Sequence, residues 1–139
     1  MAIRLETSRV QISPAVASYT RAMSPEDVVA RQIDAYNGHD LEAFVACYAV
    51  DVVVMSGTGQ VMLEGSDALR QQYGQWFRDM PDLHADVLDR VAHGSWVVDD
   101  ERAASPSLGL EMGGLIAYRI QGDVIDRVVM MAGEDASGA

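Results

Sequence analysis

The densest group of ionisable side chains in a strand-like segment is the run Asp99-Asp100-Glu101-Arg102. Side chains alternate between the two faces of a strand, so Asp99 and Glu101 share one face and Asp100 and Arg102 the other. One pair is expected to point inward if the sheet is covered on one side. An inward carboxylate near arginine can do acid–base chemistry, which makes Asp100 and Arg102 candidate catalytic residues. The alternative is a solvated edge or an ion pair in a dimer interface.

A second candidate for acid–base chemistry lies where another predicted strand begins. His84 and Asp86 are two residues apart and share a face, so they could form a dyad in which the imidazole is the base. The alternative is a surface pair at the end of a strand. We expect no metal, because the chain lacks a His-x-x-His motif, a cysteine cluster and an acidic loop with calcium spacing. The Gly57-Thr58-Gly59 turn lacks the strand-to-helix context of a phosphate loop, and no cofactor is expected.

Three helices are predicted before the long strands that carry these residues. Ser24-Pro25-Glu26-Asp27 is a helix start, with a serine cap, proline in the first turn and acidic residues after it. The helix is expected to end at Asn37-Gly38, because either residue can adopt the left-handed cap conformation. The second helix follows Asp40, and its predicted apolar side consists of Leu41, Phe44, Val45 and Tyr48. The third helix is predicted from residue 66 to about residue 79, where Pro81 stops it.

The predicted strands form one hairpin between the second and third helices and a meander after the third. Alternating apolar residues and Gly-rich turns place them at 52–55, 60–63, 84–92, 95–104, about 110–120 and 124–131. Helices segregated from a mostly antiparallel sheet indicate an α+β fold, with a sheet of five or six strands.

Composition limits the function classes. The formal net charge is −11, every basic residue except histidine is arginine, and no basic run exists, so nucleic acid is not an expected partner. No apolar stretch approaches the roughly 20 residues of a membrane span, and the first residues lack the apolar core of a secretory signal. The single cysteine, Cys47, excludes an internal disulfide. We therefore expect a cytoplasmic protein that does not bind membranes.

Charge also divides the chain. Three arginines against one glutamate give residues 1–22 a net charge of +2, which leaves −13 on the remainder. The predicted organisation is an N-terminal extension at 1–23, a domain at 24–132 and a flexible C-terminal tail at 133–139. The last strands carry apolar residues on both faces, and helices cover only one of these faces. The open face is therefore expected to form a homodimer.

The order of elements and several local motifs resemble the nuclear transport factor 2-like superfamily, in its SnoaL-like and ketosteroid-isomerase-like branch. The similarity covers roughly residues 24–132 and rests on the segments 29–37, 40–44, 48–53, 68–70, 117–120 and 124–128, with Gly65 and Gly122. The resemblance implies a cone-shaped, strongly curved sheet wrapped around three N-terminal helices, with an apolar pocket between them. Members of the superfamily include isomerases, polyketide cyclases, dehydratases and epoxide hydrolases, as well as proteins that only bind or dimerise.

Compared residue by residue, the chain departs from the catalytic sets of these relatives. Gln32, Ser56 and Ile116 stand at the positions that resemble the tyrosine, the base and the buried aspartate of ketosteroid isomerases, so we expect no steroid isomerisation. Tyr36 resembles an active-site tyrosine of scytalone dehydratase, although Asn37 replaces the aspartate that follows it. Asp100 and Arg102 supply two groups of an epoxide hydrolase relay and lack the third.

Eight residues are expected to line the pocket, because most are apolar or aromatic with a polar tip. They are Gln32, Tyr36, Ser56, Tyr73, Trp76, Met112, Ile116 and Tyr118. The alternative is that they only fill the core. Together these features predict a protein that binds a small, mostly apolar molecule and is a cofactor-independent isomerase, cyclase or dehydratase if it is an enzyme. The alternative is a non-catalytic ligand-binding or dimerisation module.

Overall fold

The computed structural model describes residues 23–132, in which a curved, mixed six-stranded sheet packs against three helices. In chain order the elements are α1 (Pro25–Asn37), α2 (Leu41–Ala46), β1 (Tyr48–Ser56), β2 (Val61–Glu64), α3 (Ser66–Asp79), β3 (His84–His93), β4 (Trp96–Ser105), β5 (Leu110–Gln121) and β6 (Val124–Ala132). The predicted α+β class is confirmed. The extension predicted at 1–23, apart from Met23, and the tail predicted at 133–139 lie outside the described residues.

The sheet has the strand order β2-β1-β6-β5-β4-β3. β1 pairs with β6 in parallel, and every other neighbouring pair is antiparallel. The inner face of the sheet is the one that packs against the helices, and the outer face carries the alternate residues of each strand. None of the described helices is long and apolar enough to span a membrane.

The predicted start of α1 is confirmed. The backbone N–H of Asp27 donates a hydrogen bond to Oγ of Ser24 over 3.1 Å, and Pro25 occupies the first turn. The predicted end of α1 at Asn37-Gly38 is confirmed, but the left-handed cap conformation expected there is wrong, because Gly38 keeps right-handed dihedrals and the residue with positive φ is His39, at 53°. The reversal falls at His39 because its ring is held by a 2.7 Å hydrogen bond with the carbonyl oxygen of Leu83.

The second helix is shorter than predicted, and Tyr48 belongs to a strand. The N–H of Cys47 donates to the carbonyl of Phe44 over 3.1 Å, which closes the last turn. The carbonyl of Cys47 then accepts a 2.8 Å hydrogen bond from the N–H of Ile125 in β6. This bond draws the chain into the parallel ladder, and β1 therefore begins four residues earlier than the predicted strand.

Two sets of contacts fix α1 and α3 above the inner face. An aromatic cluster joins the helices, with the rings of Phe44 and Tyr73 4.7 Å apart and those of Tyr36 and Phe77 5.6 Å apart. The side-chain amide of Asn37 pairs with the backbone of Ala85 through bonds of 3.0 and 2.8 Å. The end of α1 is thereby tied to β3, and the inner side of α1 is held against the sheet.

Candidate functional site

A cavity of about 210 Å³ lies between the inner face of the sheet and the helices α1 and α3. Its walls are mainly aromatic and aliphatic side chains, with a few polar groups among them. The lining residues are Gln32, Tyr36, Tyr48, Val54, Leu69, Tyr73, Trp76, Glu101, Ala103, Met112, Gly113, Gly114, Ile116, Tyr118, Val128, Met130 and Ala132. Seven of the eight residues predicted to line a pocket are in this set. Ser56 is not, because its hydroxyl hydrogen-bonds Thr58 and the N–H of Gln60 within the β1–β2 turn.

Alternation along β4 decides which charged residues reach the cavity. Val97 and Asp99 are fully buried on the inner face, and Glu101 follows on that face and lines the cavity. Asp100 and Arg102, the predicted catalytic pair, lie on the outer face, where they line a shallow depression with Leu88 and Leu115. Arg102 forms an ion pair there with the exposed Glu111, at 3.3 Å. The inward pair is therefore Asp99 and Glu101.

Asp99 is held by an arginine of the neighbouring strand. Arg90 of β3 stands directly across from Asp99 and donates two hydrogen bonds, 2.6 Å from Nε to Oδ1 and 2.8 Å from Nη2 to Oδ2. Such a forked pair uses both carboxylate oxygens and fixes their orientation. Asp99 is completely buried and fully paired, so its role in the site is electrostatic.

Glu101 has a weaker partner and a more open position. The hydroxyl of Tyr118 donates to its Oε2 over 2.6 Å, and the residue directly opposite on β5 is Gly114, which has no side chain to fill the space. The pKa of Glu101 is raised from 4.5 to about 7, chiefly by burial; the Tyr118 hydrogen bond opposes this rise and the negative charge of Asp99 adds to it. Near neutral pH this carboxyl is therefore present in both protonation states.

Several tyrosines surround this carboxyl group. Burial, and secondarily the charge of Glu101, raises the pKa of Tyr36, and burial is also the main cause of the raised pKa of Tyr73. These hydroxyls therefore remain protonated and can donate hydrogen bonds. Burial raises the pKa of Tyr48 well above its usual range, and a hydrogen bond from Gln32 acts in the opposite direction.

The other candidate dyad forms but lies elsewhere. Nδ1 of His84 is 3.5 Å from Oδ1 of Asp86 at the start of β3, and both side chains are more than half exposed. Neither residue lines the cavity. Within residues 23–132, no group of three or more histidine, cysteine or acidic side chains is arranged to hold a metal ion.

The arrangement can perform proton transfer on an apolar molecule. A carboxyl with a pKa near the ambient pH can take up and return a proton, and neutral hydroxyls can stabilise an oxyanion formed nearby. Glu101 and Tyr48 line the cavity, although neither was predicted there from the sequence. The alternation of side chains along β4 could have indicated Glu101, because it placed Glu101 and Asp99 on one face.

Comparisons with known proteins agree with this architecture. The family model of the SnoaL-like domain matches residues 29–128, and no curated protein sequence matches the chain. A cystatin-fold protein from Novosphingobium aromaticivorans is similar in structure, with a TM-score of 0.72 and 24% identity over 78% of this chain and 97% of that one.

Two further solved structures carry functional descriptions. A proposed ketosteroid isomerase from Kribbella flavida has a TM-score of 0.69 and 17% identity, over 86% of this chain and 84% of its own. IdmH, a proposed polyketide cyclase from Streptomyces antibioticus, has a TM-score of 0.67 and 22% identity, over 79% of this chain and 92% of its own. At these identities the likeness shows the fold. Because the family model covers most of the chain, this protein belongs to the SnoaL-like family of the nuclear transport factor 2-like superfamily, as the sequence resemblance predicted.

Proposed function

We propose that this protein binds a small, mostly apolar molecule in the inner cavity and that Glu101 transfers a proton on it. The observation that carries the proposal is the position of the Glu101 carboxyl, which lines an apolar cavity and accepts a 2.6 Å hydrogen bond from Tyr118. Isomerisation, aldol-type cyclisation and dehydration next to a carbonyl share one step, the removal of a proton from carbon. A cofactor-independent enzyme of this group is the activity that the site supports best.

In the proposed step, the ionised Glu101 takes a proton from the carbon next to a carbonyl group of the substrate. The electron pair of the broken C–H bond moves into an enolate, whose oxygen then carries the negative charge. The neutral hydroxyls of Tyr36 and Tyr73 line the same cavity and can donate hydrogen bonds to that oxygen. The protonated Glu101 returns the proton to the same or another atom, so the carboxylate is regenerated.

The apolar walls favour this chemistry because they keep water away from the carboxyl group. A desolvated carboxylate with a raised pKa is a stronger base than one in water, and hydrogen bonds to a developing charge are stronger in a low dielectric. Asp99, two residues before Glu101 on the same face of β4, contributes negative charge near it, while Arg90 opposes the effect of that charge. The description of IdmH as a proposed polyketide cyclase supports the same reaction group for this fold.

The proposal can be tested without knowing the natural substrate. The probe is 2-indanone, a small neutral ketone with acidic C–H bonds, incubated with purified protein in D₂O and followed by NMR. We expect the protein to accelerate deuterium incorporation at the carbons next to the carbonyl, and Glu101→Gln to reduce this acceleration at least about 100-fold. Glu111→Gln is the matched control, because Glu111 is an exposed glutamate outside the cavity.

Two results would contradict the proposed proton transfer. One is exchange in the presence of wild-type protein that does not exceed the rate in buffer, although 2-indanone binds. The other is an acceleration that Glu101→Gln leaves unchanged. Tyr36→Phe supplies an intermediate case, because loss of one oxyanion donor should slow exchange by about 10²-fold while binding is retained.

We also propose that two copies of the chain associate through the outer face of the sheet. Dimerisation would then be a second role of the protein, beside ligand binding. The outer face exposes Leu88, Val91 and Leu115, and the neighbouring Trp96, Val98, Val129 and Met131 are only half-buried. Two ion pairs of this face lie within the subunit, the forked Arg119–Asp126 pair at 2.9 Å and Arg102–Glu111 at 3.3 Å, so part of its charge is already balanced when a second copy of the face meets it. Light scattering should give twice 15.1 kDa, and Leu115→Glu should give the monomer mass. A monomeric wild type at micromolar concentration would contradict the dimer.

A further inference from the structure

One polar atom of the cavity wall has no partner. Gln32 is only 4% exposed, and among the described residues its Oε1 accepts no hydrogen bond. Gln32 lines the cavity together with Tyr36, which lies one helical turn further along α1.

A buried acceptor without a donor is costly, which is why nearly all buried polar atoms in folded proteins are paired. An apolar side chain of similar size would fill the same space without that cost. A molecule that brings a donor to Oε1 removes the cost and gains a hydrogen bond in a low dielectric, whereas an analogue without the donor leaves the oxygen unpaired. A hydroxyl group is the neutral donor that suits this position, since a cation would be desolvated among apolar walls.

The remaining walls limit the body of the ligand. Tyr73 and Trp76 stand edge to face with ring centroids 4.8 Å apart, and Tyr36 lies 6.2 Å from Tyr73. Such walls suit a flat ring, which can pack against the faces and edges of these side chains. An apolar cavity of about 150 Å³ holds one benzene molecule, so 210 Å³ suits roughly eight to ten non-hydrogen atoms. That is a compound of one or two rings.

We propose that the ligand of this cavity is a neutral compound of one or two rings whose hydroxyl group donates a hydrogen bond to Oε1 of Gln32. The inference deepens the proposed function, on which it rests for the identity of the site, and it names the substrate class. Glu101 takes a proton from carbon in the proposed step and Oε1 of Gln32 accepts from a hydroxyl, so the reacting carbon and the hydroxyl are separate groups of one molecule. The substrate is then a hydroxylated ring compound with a separate carbonyl group.

The test compares three probes on one ring scaffold by isothermal titration calorimetry with the full chain. The probes are 5-indanol, 5-fluoroindane, in which fluorine takes the place of the hydroxyl and cannot donate, and indane, which lacks the substituent. We expect wild-type protein to bind 5-indanol about tenfold more tightly than the other two. Gln32→Met should abolish this preference, because it keeps the side-chain volume and removes the acceptor. Gln71→Met, on the exposed side of α3, is the control and should preserve it.

Equal affinity of the wild type for all three probes, or no measurable binding, would overturn the inference. A preference for 5-indanol that survives in Gln32→Met would overturn it as well. If that preference disappears in Glu101→Gln, the hydroxyl binds to Glu101, and the proposed proton transfer can still stand. If the protein does not accelerate deuterium exchange of 2-indanone although Gln32 still selects 5-indanol, only the proposed proton transfer is contradicted.

Discussion

Asp99 and Glu101 lie two residues apart on the inner face of β4, and their partners differ. Asp99 meets a guanidinium group that contacts both of its oxygens at 2.6 and 2.8 Å. Glu101 meets one neutral hydroxyl at 2.6 Å and faces the cavity. The paired carboxylate is held in place by its arginine, whereas the other faces the cavity and can exchange a proton with a molecule there.

The comparison shows that burial alone does not prepare a carboxylate for acid–base chemistry. Asp99 is fully buried and Glu101 is half-buried, and a forked guanidinium group holds both oxygens of Asp99. A single hydroxyl orients Glu101 without neutralising it. Four substitutions test this difference, beginning with the one that should have the largest effect.

The largest effect is expected from removing the partner of Asp99. Arg90→Met leaves a fully buried carboxylate unpaired, so the free energy of unfolding should fall by about 3–5 kcal/mol in urea titrations at pH 7. The double variant Arg90→Met/Asp99→Asn should recover part of this loss. Arg102→Met is the control, since Arg102 is exposed, and it should cost less than about 1 kcal/mol. Equal losses for Arg90→Met and Arg102→Met would show that the forked pair has no structural role.

The second effect concerns the pH dependence that Glu101 gives to stability. Its pKa is raised from 4.5 to about 7 in the folded protein, so the folded state binds more protons than the unfolded state between these values. This contribution stabilises the protein below pH 4.5 and is lost as the pH rises through 7. Between pH 5 and pH 8 it amounts to about 2–3 kcal/mol.

Glutamine resembles the protonated form of Glu101 in shape and charge, and it does not titrate. Urea unfolding at pH 5 and pH 8 should therefore show that wild type loses about 2–3 kcal/mol more than Glu101→Gln over this interval. The control Glu111→Gln should follow the wild type. If the two curves for wild type and Glu101→Gln run parallel, Glu101 does not titrate in this range.

A smaller effect is expected from the hydroxyl of Tyr118. Tyr118→Phe removes the hydrogen bond to Glu101, and the cost should be about 1–2 kcal/mol at pH 8, where the carboxylate is charged. At pH 5 the cost should be smaller, because the protonated carboxyl depends less on this donor. The hydrogen bond lowers the pKa of Glu101, so its removal should move that pKa above 7. A downward movement would contradict the assigned direction of the hydrogen bond.

The smallest effect is expected on the outer face of the same strand. Asp100→Asn should change the free energy of unfolding by no more than about 0.5 kcal/mol and leave the 2-indanone exchange rate unchanged. Both measurements use the wild-type assay conditions described for Glu101→Gln. A loss of exchange comparable to that of Glu101→Gln would show that the proton transfer takes place on the outer face and not in the cavity.

Most of the fold was predictable because its signals are local. The serine cap before α1, the proline after α3 and the turns between strands mark element ends in the sequence, and α3 and the last four strands lie within a few residues of their predicted positions. The end of α2 was not predictable in this way. It depends on a hydrogen bond between Cys47 and Ile125, which are 78 residues apart in the chain.

The site was predictable only in part, for a similar reason. The alternation of side chains along β4 predicted that Asp99 and Glu101 share a face. Which of the two faces lies inward depends on how β3 and β5 flank β4. The register that places Arg90 opposite Asp99 includes an irregularity between Val87 and Asp89, which no single-strand pattern reveals. Ser56 was expected in the cavity, and the β1–β2 turn uses its hydroxyl instead.

The proposed proton transfer requires that Glu101 titrates near neutral pH inside the cavity, and carbon-13 NMR of its side-chain carboxyl measures that titration. The protein is labelled at glutamate carboxyls, and the Glu101 signal is the one that disappears in Glu101→Gln. A titration of that signal with a midpoint near pH 7 is the result that our account predicts. A midpoint near 4.5, the usual value for glutamate, would contradict it, because the carboxylate would then be solvated and too weak a base for the proposed proton transfer.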